Sequence, residues 1–128
     1  MKKRVPKILV VGSERAFSDL YGALEAAGTY QLEYAAYWGT ADVFLEPPPD
    51  VALLHIPPEK GASEQALAWV EKLKGEVPFV VLSAAADMEG YVACMSRGAF
   101  DYVTSYTPLE EIRRIINRAI NYKQPVAA

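Results

Sequence analysis

The chain has 128 residues, of which 52% are hydrophobic and 23% are charged, the size and balance of one soluble globular domain. Its formal net charge of -3 argues against non-specific nucleic-acid binding, because neutralising phosphates requires an excess of Lys and Arg. The single cysteine, Cys94, excludes an internal disulfide and a thiolate cluster for zinc or iron–sulfur. We expect Cys94 to be buried and chemically inert.

The N-terminal residues 1–4 are basic, and a short apolar run, residues 8–11, follows them. That run is too short for the core of a signal peptide and far too short to span a bilayer. We therefore expect a cytoplasmic protein that does not associate with membranes.

Three continuous apolar runs, residues 8–11, 51–54 and 79–82, predict strands. Because they show no polar alternation, they are typical of strands buried on both faces of a parallel sheet. Residues 30–36 and 100–104 are weaker strand predictions.

Helical patterns lie between the predicted strands. The final helix has the clearest start, because residues 107–110 have the pattern of a capping box with Pro108 as the first helical residue. A cap by the Thr107 side chain would stabilise that helix by about 1 kcal/mol. Apolar residues recur at helical spacing in three segments: Phe17, Leu20, Leu24 and Ala27 before Gly28; Ala66, Val70 and Leu73 before Gly75; and Leu109, Ile112, Ile116 and Ala119.

Two of the predicted helices have weak sequence signals. The helix after the second strand must fit within residues 40–46, and the fourth helix, about residues 88–97, carries Gly90 near its start. A glycine inside a helix costs about 1 kcal/mol relative to alanine, so we expect the fourth helix to shift or unwind more easily than its neighbours.

This alternation of strands and helices predicts an α/β domain with a parallel sheet and helices on both faces. We place the domain at residues 1–124 and interpret residues 125–128 as a disordered tail or the start of a linker.

Four stretches, in this order, carry a resemblance: residues 7–11 (KILVV), 49–54 (PDVALL), 77–84 (VPFVVLSA) and 98–104 (GAFDYVT). Together they resemble a CheY-like receiver domain of bacterial two-component response regulators. The resemblance implies a flavodoxin-like (βα)5 fold, a doubly wound five-stranded parallel sheet with helices on both faces, in a phosphorelay signalling protein.

The resemblance also implies a chemistry. Receiver domains bind Mg²⁺ and catalyse phosphoryl transfer from a partner histidine kinase to their own aspartate. Two acidic residues after the first strand hold the hard cation, and the acceptor aspartate ends the third strand. A Ser or Thr and a Lys then bind the phosphoryl oxygens.

This sequence departs from the pattern at most of those positions. The acidic pair falls on Gly12 and Ser13, the acceptor on His55, and the lysine on Ser105. Ser83 alone keeps the expected chemistry. We therefore expect a pseudo-receiver with a degenerate phosphorylation pocket, which is not an enzyme and has no catalytic residues, metal site or cofactor.

Glu14 follows the positions of the missing acidic pair and is a candidate replacement ligand. One carboxylate without the acceptor aspartate makes a poor Mg²⁺ site. We prefer the interpretation that Glu14 lies in the first turn of a helix, where a negative charge interacts favourably with the helix dipole.

His55, the only histidine, lies at the sheet edge where ligands bind in such folds. It is a candidate phosphohistidine, metal ligand or pH sensor. The first two lack supporting charges or ligands, and the third needs only the imidazole. We favour a neutral, hydrogen-bonded imidazole that fills the pocket, with Ser13, Ser83 and Ser105 close enough to be partners.

With a degenerate pocket, we expect the function of the domain to depend on its surface. The resemblance implies an interaction face made by the fourth helix, fifth strand and fifth helix, where Tyr102 takes the position of the aromatic that reports phosphorylation. Tyr91 and Tyr106 are expected nearby, and aromatic residues are enriched in interface cores. Core packing is an equally good interpretation of Tyr102.

We therefore predict a noncatalytic signalling domain that binds a protein partner or itself and does not bind nucleic acid directly. Two alternatives stay open. One is a small nucleotide- or anion-binding enzyme on the same fold, with the turn at residues 12–15 as an anion site. The other is the receiver part of a longer regulator with a separate output domain.

Overall fold

In a computed structural model, strands and helices alternate along the chain. The structure describes residues 5–12, 17–36, 41–56, 62–73, 75–84 and 87–122. The predicted tail at residues 125–128 and the basic residues 1–4 lie outside these ranges.

Five strands and five helical segments, numbered in chain order, make up the fold. The second helical segment is a short 3₁₀ helix in its described part, and the third continues into a 3₁₀ turn at Glu71–Leu73. The strands are β1 (Lys7–Val11), β2 (Gln31–Ala35), β3 (Val51–Ile56), β4 (Phe79–Ser83) and β5 (Asp101–Thr104). The helices are α1 (Ser18–Ala27), α2 (Asp42–Leu45), α3 (Ala62–Val70), α4 (Met88–Ser96) and α5 (Leu109–Asn121).

The strands form one five-stranded parallel sheet, as predicted, and their order in the sheet is β2-β1-β3-β4-β5. After β2 the chain crosses to the other side of β1, so the strand order reverses between β1 and β3. The carboxyl ends of strands at such a reversal border a crevice, which is the usual ligand site of open α/β sheets. Gly12 and His55 lie at the ends of these two strands.

Successive residues of each strand pack on opposite faces of the sheet, because the side-chain period of a strand is two. On β3, Val51 and Leu53 pack with α1 and α5, whereas Ala52 and Leu54 pack with α3 and α4. All six residues of β3 are buried. Continuous apolar runs without alternation therefore predicted these strands correctly.

The short second helix is fixed by a polar cluster. The carboxylate of Asp42 accepts hydrogen bonds from Trp69 Nε1 at 2.9 Å and from Lys72 Nζ at 2.6 Å. These two donors hold the pKa of Asp42 below its usual range. The prediction of a short helix within residues 40–46 is confirmed for its described part, and these contacts tie it to α3.

The predicted capping box of α5 is wrong. The helix begins at Leu109, Pro108 is its N-cap residue, and no side chain caps it. The Thr107 hydroxyl instead accepts a hydrogen bond from the backbone N–H of Thr104 at 3.2 Å. A backbone donor at the end of β5 therefore engages the side chain that the pattern assigned to the helix.

The apolar stripes are mostly confirmed. On α1, Phe17, Leu20 and Leu24 are buried, and Gly28 ends the helix with a left-handed backbone. The predicted stripe of α5 is wrong at one position, because Leu109 is 37% exposed in the first turn beside exposed Ser105 and Tyr106. The buried face of α5 consists of Ile112, Ile115, Ile116 and Ala119.

No helix in the described ranges is both long and apolar enough to cross a membrane.

Truncation of two aliphatic residues on α5 tests this assignment of its buried face. We expect Ile116→Ala to lower the free energy of unfolding by about 3 kcal/mol, because it removes a fully buried side chain and leaves a cavity. Leu109→Ala, the matched control on the exposed first turn, should cost less than about 1 kcal/mol. Urea denaturation measures both, and equal losses would contradict the assignment.

Candidate functional site

Four of the predicted pocket residues meet at the carboxyl edge of the sheet. Gly12 directly follows β1, His55 is the last residue but one of β3, Ser83 ends β4, and Ser105 directly follows β5. The parallel register places Ser83 opposite Ile56 on one side and opposite Thr104 on the other. The predicted pocket residues Ser13 and Glu14 lie outside the described residues.

The His55 side chain is packed inside the domain. It is 4% exposed, and its imidazole meets the ring of Phe17 edge to face, with ring centroids 6.1 Å apart. Strand alternation places His55 on the face of the sheet that Val51 and Leu53 share with α1 and α5. A buried imidazole therefore lies at the position to which the resemblance assigns the acceptor aspartate.

Gly12 and His55 fit each other closely. Gly12 has a φ of +90°, and its N–H donates to the carbonyl oxygen of Ala35 at 2.8 Å. A Cβ atom on Gly12 would lie 3.2 Å from the Cβ and the carbonyl oxygen of His55, and 3.5 Å from its Nδ1. Because L-residues rarely adopt a positive φ, an acidic side chain at this position would be strained as well as crowded.

Ser83 and Ser105 lie at the same edge of the sheet, at the ends of β4 and β5. Ser83 is buried, and its carbonyl oxygen accepts a hydrogen bond from the N–H of Ser105 at 3.2 Å. The exposed Ser105 hydroxyl donates to the carbonyl oxygen of Ala84 at 3.0 Å. Ser105, to which the resemblance assigns the family's lysine, therefore links the end of β5 to the residue that follows β4.

The described ranges contain no group of three or more His, Cys, Asp or Glu side chains that could hold a metal ion. A nearby acidic residue, Asp87, serves a structural purpose, because its carboxylate accepts from the N–H of Glu89 at 3.2 Å as the N-cap of α4. Such a cap satisfies one of the free N–H groups in the first turn of a helix.

Tyr102 of β5 lies under the surface of α4. It is half-buried, packs against the core cluster that contains Cys94, and meets the ring of Tyr91 edge to face at 5.7 Å. A Cβ atom on Gly90 would lie 3.4 Å from the Tyr102 hydroxyl and 3.0 Å from a carboxylate oxygen of Asp87. Gly90 thus gives both side chains room at the start of α4.

The three predicted face residues differ in exposure. Tyr91 is 43% exposed and covers Tyr102, and Tyr106 is 82% exposed in the turn between β5 and α5. Sequence reasoning missed two more apolar residues of α4, Met88 and Val92, which are exposed. Their spacing with Tyr91 places all three on one face of the helix, and that spacing was the available signal.

Cys94 of α4 is fully buried, as expected from the sequence. Burial, together with the negative charge of Asp87, raises the pKa of its thiol. Because the thiolate is the reactive form, burial and the neighbouring charge both disfavour a reactive Cys94.

The same fold occurs in solved receiver domains. One from Methanospirillum hungatei, described as CheY-like, superposes with a TM-score of 0.74 at 23% identity, over 92% of this chain and 95% of that one. The non-phosphorylated HemR receiver domain from Leptospira biflexa gives a TM-score of 0.72 at 23% identity, over 94% and 98% of the two chains. The chain therefore has the flavodoxin-like fold of CheY-like receiver domains.

Curated relatives agree with this class. A probable C4-dicarboxylate response regulator, DctR of Bacillus subtilis, is 32% identical over 83 residues, which is 65% of this chain and 37% of the relative. The phosphate regulon transcriptional regulatory protein PhoB of Klebsiella pneumoniae is 31% identical over 113 residues, 85% of this chain and 49% of the relative. The chain thus spans less than half the length of these relatives.

No protein-family model matches the chain. The fold and the similarity to response regulators together support a receiver domain of the two-component type.

Alanine at Gly12 tests the close fit with His55. Gly98 is a matched control, because its φ of +94° is similar and a Cβ there would meet nothing within 4 Å. We expect Gly98→Ala to lower the free energy of unfolding by about 1–2 kcal/mol from backbone strain alone. Gly12→Ala should cost at least about 1 kcal/mol more, because it also crowds His55. Equal losses in urea denaturation would show that the two residues do not constrain each other.

A second pair of glycines tests the packing of Tyr102. A Cβ on Gly22, inside α1, would meet nothing within 4 Å, so Gly22→Ala should raise the free energy of unfolding by about 0.5–1 kcal/mol. Gly90→Ala should give no such gain, because the new methyl group displaces the Asp87 cap or the Tyr102 hydroxyl. Thermal or urea unfolding of both variants measures the difference, and an equal gain would rule out tight packing at Gly90.

Proposed function

We propose that this chain is a noncatalytic receiver domain, a pseudo-receiver, which is not phosphorylated on aspartate and signals by binding a protein. The contact between Gly12 and His55 carries the proposal. A buried imidazole takes the place of the phosphoryl acceptor, and the neighbouring backbone has a conformation that disfavours an acidic residue.

The chemistry of phosphoryl transfer supports this proposal. A loose, highly charged transition state is stabilised by Mg²⁺ and by cationic side chains placed around the transferring group. Mg²⁺ is usually held through carboxylate oxygens, and neither Gly12 nor His55 has a side-chain oxygen. At the position of the family's lysine, Ser105 offers a neutral hydroxyl that donates to Ala84.

The surface of α4 and of the turn before α5 supports a binding role. Eight large apolar side chains are exposed in the described ranges, and five of them lie on this surface: Met88, Tyr91, Val92, Tyr106 and Leu109. Exposed apolar and aromatic residues of this kind mark protein interaction sites when they cluster. We propose that a protein partner, or a second copy of the chain, binds this surface.

Tyr102 connects this surface to the sheet. Its ring lies between exposed Tyr91 and the core cluster on α3 and α4, so a partner that moves Tyr91 also changes the packing of β5. The signal in such a domain originates from partner binding rather than from a covalent modification.

Phosphodonor labelling tests the proposal. We expect the full chain, incubated with acetyl phosphate and Mg²⁺, to show no added phosphate in intact-protein mass spectrometry at neutral pH. Beryllofluoride with Mg²⁺ should leave the amide spectrum of β4, β5 and α4 unchanged. Stoichiometric labelling of the wild-type chain would overturn the proposal. Loss of that label in His55→Asn would then assign it to the imidazole, and persistence would assign it to another side chain.

A further inference from the structure

A groove of about 790 Å³ lies between α2 and the end of α3, at the amino edge of the sheet. One wall consists of α2 and the segment that leads into β3, and the other consists of the end of α3 and the turn that leads into β4. We call it the α2–α3 groove. Its walls include Asp42, Leu45, Glu46, Pro48, Lys72, Leu73, Glu76 and Val77.

This groove is separate from the sites described above. His55 lies at the carboxyl edge of the sheet, whereas the segments of the groove enter β3 and β4 at the amino edge. The end of α3 stands between the groove and α4. Lys72 reaches Asp42 on α2, whereas the adjacent Glu71 reaches Arg97 at the end of α4.

Hydrogen bonds hold the first wall of the groove in place. Asp42 on α2 accepts from Trp69 Nε1 at 2.9 Å and from Lys72 Nζ at 2.6 Å, which ties this wall to α3. The carbonyl oxygen of Pro47 accepts from Lys7 Nζ at 2.8 Å, which ties the segment before β3 to β1. A ligand therefore meets a preformed surface, and binding requires little ordering of the protein.

The bottom of the groove is apolar. Leu73 and Val77 are buried, Leu45 beside them is half-buried, and Pro48 is exposed. An apolar side chain that covers Leu45 and Pro48 removes their surfaces from water, and the gain is proportional to the area covered.

The rims of the groove are acidic. Among the charged residues that the described ranges contribute to it, three are carboxylates, and the cation Lys72 is paired with Asp42 at 2.6 Å. Glu46 and Glu76, one on each wall, are exposed, and neither makes an ion pair within the part of the chain that the structure describes. Two uncompensated negative charges therefore lie beside an apolar surface.

We propose that the α2–α3 groove binds a basic segment of a partner protein, in which Arg or Lys residues flank an apolar side chain. The cationic groups pair with Glu46 and Glu76, and the apolar side chain lies on Leu45 and Pro48. Arg and Lys bury their methylene stems on apolar surface while the charged group stays in water, which suits a groove with an apolar bottom and acidic rims. Complementary charge also speeds the encounter and selects against acidic partners.

The lining favours a protein segment over other ligands. Ca²⁺ takes about six to eight oxygen ligands, and no group of three or more His, Cys, Asp or Glu side chains in the described ranges could hold a metal ion. The phosphates of a nucleic acid would meet carboxylates on both rims. A polyamine supplies charges without an apolar side chain to cover Leu45 and Pro48.

This inference does not depend on the proposed loss of phosphorylation, because the groove and His55 lie at opposite edges of the sheet. A failed binding test would leave the proposed pseudo-receiver intact, and a positive labelling test would leave the groove intact.

The test uses the full chain and a fluorescent peptide in which arginines alternate with leucines. We expect saturable binding that shifts the backbone amide resonances of Leu45, Glu46, Glu76 and Val77. The same peptide with citrulline, the neutral analogue of arginine, should bind much more weakly, because it cannot form the ion pairs. Alanines in place of the leucines should also weaken binding, because less apolar area is covered.

Variants of the two rim carboxylates locate the contact. Glu46→Gln and Glu76→Gln should each weaken binding about threefold, since a single exposed ion pair contributes little, and the double variant about tenfold. Glu64→Gln is the matched control. It removes an exposed carboxylate in the first turn of α3, outside the groove, and should leave the affinity unchanged.

Four results would overturn the inference. Two are equal binding of the arginine and citrulline peptides, and equal loss of affinity in Glu76→Gln and Glu64→Gln. The third is displacement of the peptide by an equal concentration of spermidine, which would assign the groove to small polycations. The fourth uses the chain's own basic residues, with Lys2→Gln, Lys3→Gln and Arg4→Gln combined. A shift of the groove amides in that variant without peptide would assign the groove to the chain itself.

Discussion

The close contact between Gly12 and His55 constrains the part of the sheet where a receiver domain would do its chemistry. The two residues end neighbouring strands, β1 and β3, at the point where the strand order reverses. Because the Cβ of a larger residue at position 12 would meet His55 at 3.2 Å, the imidazole and the glycine depend on each other. The imidazole also packs edge to face against the ring of Phe17, which directly precedes α1.

The sequence predicted the sheet well because its strands are buried on both faces. Uninterrupted apolar runs such as those in β1, β3 and β4 predict strands that are covered on both faces, and these strands are buried. The start of α5 was harder to predict, since Thr107 has two backbone partners within reach. A capping pattern specifies only one of them, whereas the N–H of Thr104 receives the hydroxyl in the folded chain. Leu109 and Ile115 both fit a helical period, and only the position of the helix over the sheet determines which is buried.

The candidate site was also predicted only in part. The resemblance assigned Gly12, His55, Ser83 and Ser105 to one edge, and the register of the parallel strands brings them there. It could not supply the positive φ of Gly12 or the hydrogen bond from Ser105 to Ala84, because residue types do not determine the backbone of a loop. Gly90 was interpreted from propensity alone as a weak point of α4. In the structure, the close approach of Asp87 and Tyr102 instead explains why a residue without a side chain lies at this position.

The proposed function raises the question of how a receiver domain that is not phosphorylated transmits a signal. Allosteric coupling requires two sites and an element that both sites bias, and it acts equally in both directions. We propose that Tyr102 belongs to such an element, because its ring contacts exposed Tyr91 on one side and the shared core of α3 and α4 on the other. In a phosphorylated receiver the pocket biases the equilibrium of this element. If His55 replaces the acceptor, as we propose, the free energy that shifts Tyr102 comes from differential binding at the surface. The affinity of the partner for the two packing arrangements of β5 and α4 then sets the size of the response.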